Sequence, residues 1–413
     1  MVKIKKIYDK VMNPVFSLYN GKVGNIAYYV AFAAVYLLRF YYTTMFYTLF
    51  EKPLFLAVPY YVGLLIIAFF SVLSVLNALK VSRKEAVFLA AIILTALLNA
   101  FTIKKFDDYL PLLLLVTASR KRDLRPVFFT SIVIGSALLL SAYYASMNGY
   151  IPYLVYQDRG NTGMLSHAFG TVYRTALAAH VMYIIMCYAV LRAEKLHLWE
   201  YLMFWFDNWL IWRYTWSRST CACLTGFLIL LGALLVYYHI YKKWFCLPRW
   251  SALIHIACAA VTYAAIALLY FSKKIPPVAG EDESFKSRFS YSIQAFQKYP
   301  LRLFGNVVEE RSAVGIPDKS IPYFYLDITY VRVLVIGGIA MFLLFLALMT
   351  MASYKCVKNK QVILAVALIM IAIDSIPESH TLNPAMNILI LYSTGCLGIT
   401  KKNGNSCILN TSP

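Results

Sequence analysis

Chemistry on charged groups needs polar side chains gathered where a substrate can reach them, and a few short stretches of this sequence gather them. The first runs from Asp158 to Arg174, DRGNTGMLSHAFGTVYR, and sets Arg159, His167 and Arg174 among glycines at 160, 163 and 170. Glycine allows a backbone to approach a ligand closely, and it equally serves turns and helix packing. The second is TWSRS, residues 215–219, where Arg218 stands at the mouth of an apolar segment with Arg213 nearby. Planar guanidinium groups suit phosphate oxyanions, although an arginine at a helix mouth also serves as a snorkelling anchor. The third is FKSRFSYSIQAFQKYPLRLFGN, residues 285–306, which holds Arg288 and is followed by YFYLDITY with Asp327. The last, IPESHTLNPAMN, presents Glu378, His380 and Asn383; a carboxylate and an imidazole two residues apart in a loop can share one site, or simply make a polar turn.

A membrane scaffold must position these groups. The chain of 413 residues is 61% hydrophobic and 14% charged, with mean hydropathy +0.65, the composition of a polytopic membrane protein. At about 20 apolar residues per span, candidates fall near 24–46, 54–79, 86–103, 108–119, 126–147, 167–191, 198–212, 219–241, 250–271, 328–353, 361–376 and 386–399. The segments 108–119 and 386–399 are short, and 198–212 carries Glu200, Asp207 and Asn208, so an interfacial amphipathic helix competes there. The expected fold is all-α: a single transmembrane domain over 1–413 with about twelve helices and one long extracytoplasmic loop, 272–327. Within that loop Phe285, Phe289 and Ile293 recur every four residues with Phe296 three later, predicting an amphipathic helix that ends at Pro300.

The net charge of +20 is not a nucleic-acid signal, because its distribution follows the positive-inside rule. Basic residues collect in alternate loops, at Lys80, Arg83 and Lys84, at Arg120, Lys121, Arg122 and Arg125, at Lys242 and Lys243, and at Lys355, Lys358 and Lys360. Both termini are therefore expected in the cytoplasm, with no cleavable leader. The polar stretches then share the outer face, provided that 108–119 and 198–212 both cross. The cysteines lie mostly in spans, and Cys221 and Cys223 point to different helix faces, so neither a disulfide nor a zinc site is expected. The acidic turn Glu281, Asp282, Glu283 lacks companion ligands, and no metal or cofactor is expected. Arg39 lies inside an apolar segment, a functional position by default, but close enough to its end to snorkel.

Together, Arg159 followed by GMLSHAFG, TWSRS, SRF…AFQKYPLRLFGN, YLDITY and PESH…N resemble the Wzy-type polysaccharide polymerases of bacterial capsule and exopolysaccharide pathways, relatives of the O-antigen ligases. The resemblance spans residues 80 to 400 and rests on the order of the pieces and their common side. Ala168 and Phe169 follow His167 where similar proteins often have proline and asparagine, and LRLFGN lacks the more usual glycine-rich turn. The resemblance implies a metal-independent membrane glycosyltransferase in the bacterial cytoplasmic membrane. It would move a growing glycan from polyprenyl pyrophosphate onto a single lipid-linked repeat unit, with inversion, at the outer leaflet. Arginines would stabilise the departing pyrophosphate, with Arg159, Arg218 and Arg288 as the clamp and Arg174 in reserve. A base would activate the sugar hydroxyl, with His167 first and Glu378 and His380 as rivals, while Asp327 orients a hydroxyl or pairs with a clamp arginine. The implied partners are the lipid-linked donor and acceptor, membrane lipid, a chain-length regulator and a repeat-unit flippase. A flippase or transporter for lipid-linked sugars would be expected to show two similar halves, and none are found; an O-antigen-ligase-like transferase shares nearly all the chemistry.

Overall fold

The computed structural model describes residues 13–50, 53–157, 165–273, 285–311 and 323–398. In chain order its helices are α1 (Lys22–Tyr41), α2 (Leu54–Val81), α3 (Arg83–Ile103), α4 (Leu110–Ala118), α5 (Arg125–Met147), α6 (Arg174–Arg192), α7 (Leu198–Thr215), α8 (Arg218–Tyr241), α9 (Arg249–Phe271, opening on a 3-10 turn), α10 (Phe285–Lys298), α11 (Thr329–Lys358) and α12 (Val362–Asp374). Among the described residues, eight of these are long and apolar enough to cross a membrane: α1, α2, α3, α5, α6, α8, α9 and α11. The chain is an all-α, multi-pass membrane protein.

The short segments lie inside the bundle. Every residue of α4 is buried, and α12 is almost wholly so. The stretch 386–399, expected as a span, forms no α-helix in its described part; it holds a 3-10 turn at Leu389–Ser393 whose residues are all buried. Asn383, Pro384 and Pro377 interrupt helix formation before it. Irregular backbone survives at such depth only when enclosed by protein that satisfies its polar groups. Here Ser119 Oγ donates to the Leu391 carbonyl at 3.3 Å, and Lys121 N–H donates to the Thr394 carbonyl at 3.1 Å.

Contacts sort the loops into two ends. At one end Arg120, just after α4, grips Glu85 at the start of α3 with two bonds of 2.7 Å, and Lys355 reaches the Gly395 carbonyl. At the other end Tyr109, just before α4, lines a cavity with Arg332. The helix α7 likewise joins the ends: Glu200 in its first turn pairs with Arg192 at 3.1 Å, whereas Ser219, four residues past its last residue, bonds Glu378.

A second departure is local. The span expected from residue 167 starts at Arg174, because Phe169 and Gly170 both have positive φ, 47° and 79°, which no helix accommodates. His167 instead ends a three-residue strand, β2 (Leu165–His167), paired antiparallel to β1 (Val155–Gln157).

The amphipathic helix of the long loop is α10, with Phe289 and Ile293 buried and Phe296 packed on the core. Past Pro300 the loop docks into a break in α11. Gly305 (φ 91°) and Gly338 (φ 88°) face one another with no room for a side chain on either. The N–H groups of Ile339 and Ala340 bond the carbonyls of Arg302 and Leu303, both at 3.0 Å. Asn99 of α3 closes the clasp, donating to Phe304 and Gly337 carbonyls at 3.0 and 2.9 Å. Alanine at Gly305 or Gly338 combines left-handed strain with a backbone collision. A loss of about 1–3 kcal/mol or more is expected for either, read as a lower melting temperature of the solubilised protein, while Gly149→Ala, which meets nothing, lowers it less.

Candidate active site

The end of α12 creates the centre of the site. Helical geometry stops at Asp374 ahead of Pro377, and the turn that follows lifts Glu378 and His380 out of the last helical turn. The N-terminus of α11 fixes this turn: Thr329 N–H bonds the carbonyls of Ser375 and Glu378 at 3.1 and 3.2 Å. Asn387 holds the far side through the Thr381 carbonyl at 2.9 Å.

Helix α10 then lays Arg288 across the turn. Its Nη1 donates to Glu378 Oε1 at 2.9 Å and to the Pro377 carbonyl, and its Nε lies 3.5 Å from Asp327 Oδ2. Ser219, at the start of α8, donates to the same Glu378 oxygen at 2.5 Å. The other oxygen, Oε2, lies 3.5 Å from His380 Nε2. The Glu378 side chain is only 2% exposed and that of Arg288 10%. Such a pair persists because each partner satisfies the other, and removing either strands a buried charge. Above it opens a cavity of about 230 Å³, lined among others by Thr43, Tyr173, Tyr323, Asp327, Ser379 and His380.

Burial and charge set the protonation states. Burial pushes the Asp327 carboxyl up to about 6, against the pull of Arg288. Burial also pushes Glu378 upward, but Arg288, His380 and the Ser219 bond together outweigh it and hold this carboxyl below its usual value. Burial lowers His380, with Glu378 opposing and Arg288 assisting, so the imidazole is neutral near pH 7. The raised Asp327 value means that the folded state binds this proton more tightly than the unfolded chain. Its contribution to stability is complete below the usual 3.8 and is lost as pH rises through about 6. Asp327→Asn should therefore remove a fall in melting temperature between pH 4 and pH 7 that the unaltered protein shows, as measured by paired melts. An identical pH profile in the variant would place Asp327 in ordinary solvent.

The structure thus brings together Arg288, Asp327, Glu378 and His380, four of the residues singled out in the sequence. The others lie apart. His167 receives or donates a 2.8 Å bond with the Tyr153 hydroxyl and packs against Tyr153 and Phe169, each ring centre 5.6 Å away, outside the cavity lining. Arg218 is exposed with its guanidinium 5.7 Å from the Trp216 ring centre; its neighbour Ser219 is the residue that reaches the site. Arg174 is buried and bonds Ser166 Oγ at 2.7 Å, one residue from Tyr173 and Thr175 in the cavity wall. Arg159 lies outside the described residues, as does the acidic turn at 281–283.

Residues beyond those expected are Arg332, Glu310, Ser219 and Asp374. Arg332 pairs with Glu310 at 2.7 Å, and its place in an apolar run, VRVLV, was the available signal. Asp374 is wholly buried one turn before Glu378, near Thr220 and Cys223. Among the described residues no group of His, Cys, Asp and Glu converges as a metal site. Compared with known proteins, the chain matches no family model, no curated protein and no solved structure.

Proposed function

We propose that this chain is a membrane glycosyltransferase that polymerises lipid-linked oligosaccharide repeat units, with His380 as general base. The reading is carried by one observation: a neutral imidazole backed by an ionised carboxylate, Glu378, whose position is fixed by Arg288 and Ser219 in the wall of a half-open cavity. A base needs a pKa near the working pH and a group behind it that stabilises the proton it gains. The tyrosines and Asn383 around the cavity suit sugar hydroxyls and faces.

In the step itself the acceptor hydroxyl oxygen attacks the anomeric carbon of the donor sugar. The hydroxyl proton passes to His380, where Glu378 stabilises the imidazolium that forms. The bond from that carbon to the diphosphate breaks with its electron pair staying on the diphosphate, and the configuration inverts. The sequence pieces that resemble Wzy-type polymerases are the ground for naming polymerisation, and an O-antigen-ligase-like transferase would share nearly all of this chemistry.

Deleting the chain from its cell tests the reading. Polymer should vanish while single repeat units, displayed on the common acceptor, still reach the surface. Loss of surface repeat units altogether would favour a flippase, and intact polymer that fails to reach its final acceptor would favour a ligase.

A further inference from the structure

A second cavity, of about 120 Å³, shares Tyr325, Ser379, His380 and Asn383 with the first but is otherwise lined by different residues, among them Arg39, Asp108 and Arg332. Its balance of free donors is the reverse of the first cavity's. Arg288, the arginine in the first, already has Glu378 and Asp327 against it. Arg39, near the end of apolar α1, makes no hydrogen bond or ion pair with any described residue, and its Nε is shut away from solvent. A cation so placed is costly unless an anion answers it. Among the described residues Arg332 hydrogen-bonds through Nη1 alone, at 2.7 Å from Glu310 and 3.3 Å from the Leu326 carbonyl, with its guanidinium 4.9 Å from the Tyr325 ring centre. The two forks face one small chamber whose wall contains the proposed base.

We propose that this second cavity binds the diphosphate of a lipid-linked sugar, held between Arg39 and Arg332. The identity of the ligand rests on the glycosyl-transfer reading, but its binding needs no turnover. The site places the leaving group on one side of His380 and leaves the first cavity to the acceptor. Asp108 opposes an anion there, and that makes it diagnostic: its carboxylate either tempers diphosphate affinity or is simply the structural counter-charge of Arg39.

The test is calorimetric titration of the full chain in neutral-lipid nanodiscs with farnesyl diphosphate, and separately with inorganic pyrophosphate. Farnesyl diphosphate should bind, Arg39→Gln should weaken it by about tenfold or more, and Asp108→Asn should tighten it several-fold. Equal affinity in the Arg39→Gln protein would overturn the site. Weaker binding and a lower melting temperature in Asp108→Asn would also overturn it, showing a structural pair. Pyrophosphate binding as tight as the farnesyl ester's would overturn the lipid-linked assignment in favour of free diphosphate. The two proposals fail separately: if His380→Ala still elongates glycan while Arg39→Gln loses binding, the base assignment falls and the diphosphate site stands.

Discussion

Alanine at His380 is expected to slow chain extension by about 10²–10⁴-fold, the usual contribution of a positioned base, in a protein that still folds and inserts. Folding should survive because the imidazole adds little to the local network. Its Nε2 sits 3.5 Å from Glu378, beyond good hydrogen-bond geometry, and the carboxylate keeps both Ser219 and Arg288 without it. Rates of glycan extension in isolated membranes check this, alongside the amount of inserted protein. Extension at the unaltered rate would remove His380 as base and leave Asp327, whose carboxyl titrates at about 6, as the group to test next.

The largest structural effect is expected at Arg288. Methionine there keeps most of the side-chain volume but leaves Glu378 and Asp327 without their shared cation. Breaking a buried pair in this way costs about 3–5 kcal/mol, which in a polytopic protein should appear as a sharp loss of melting temperature and of inserted yield. Combining Arg288→Met with Glu378→Gln and Asp327→Asn should restore much of the stability, since no uncompensated charge remains, yet leave no transfer activity. This non-additivity separates a network from independent contacts. A single Arg288→Met protein that melts like the parent would mean that water, and not the arginine, neutralises the carboxylates.

What the sequence revealed, and what it hid, follows from the range of the forces involved. Hydropathy located the long helices because each must present an apolar surface to lipid along its whole length. The periodicity of Phe289, Ile293 and Phe296 located α10 for the same reason. The short segments were ambiguous because burial inside protein imposes no length. Neither α4, with nine residues, nor the irregular stretch around Leu389–Ser393 needs to match a bilayer when longer helices surround it.

The site was half legible. Arg288, Asp327, Glu378 and His380 lie in polar loops, where a charged residue attracts notice. Arg39 reads from sequence as a snorkelling residue, since its lack of a hydrogen-bonded or ion-paired partner among the described residues is a three-dimensional fact. Arg332 and Asp374 sit in apolar helices beside groups far away in sequence, Glu310 for the first and Thr220 and Cys223 for the second. His167 and Arg218 stand in recognisable motifs, but the left-handed φ of Phe169 and Gly170, more than about 100° from the helical value, keeps His167 out of the span and beside Tyr153. At TWSRS the serine after the arginine, one helical position on, is the residue that faces Glu378.

The most direct test of the central claim is reconstitution of the purified chain into vesicles with its lipid-linked repeat units and no other protein. The account predicts a ladder of products spaced by whole repeat units, with polyprenyl diphosphate released in step, and no ladder from the His380→Ala protein. Repeat units that change leaflet without growing longer would contradict it, and the chain would then be a transporter whose buried arginine and carboxylates line a passage for the lipid-linked sugar.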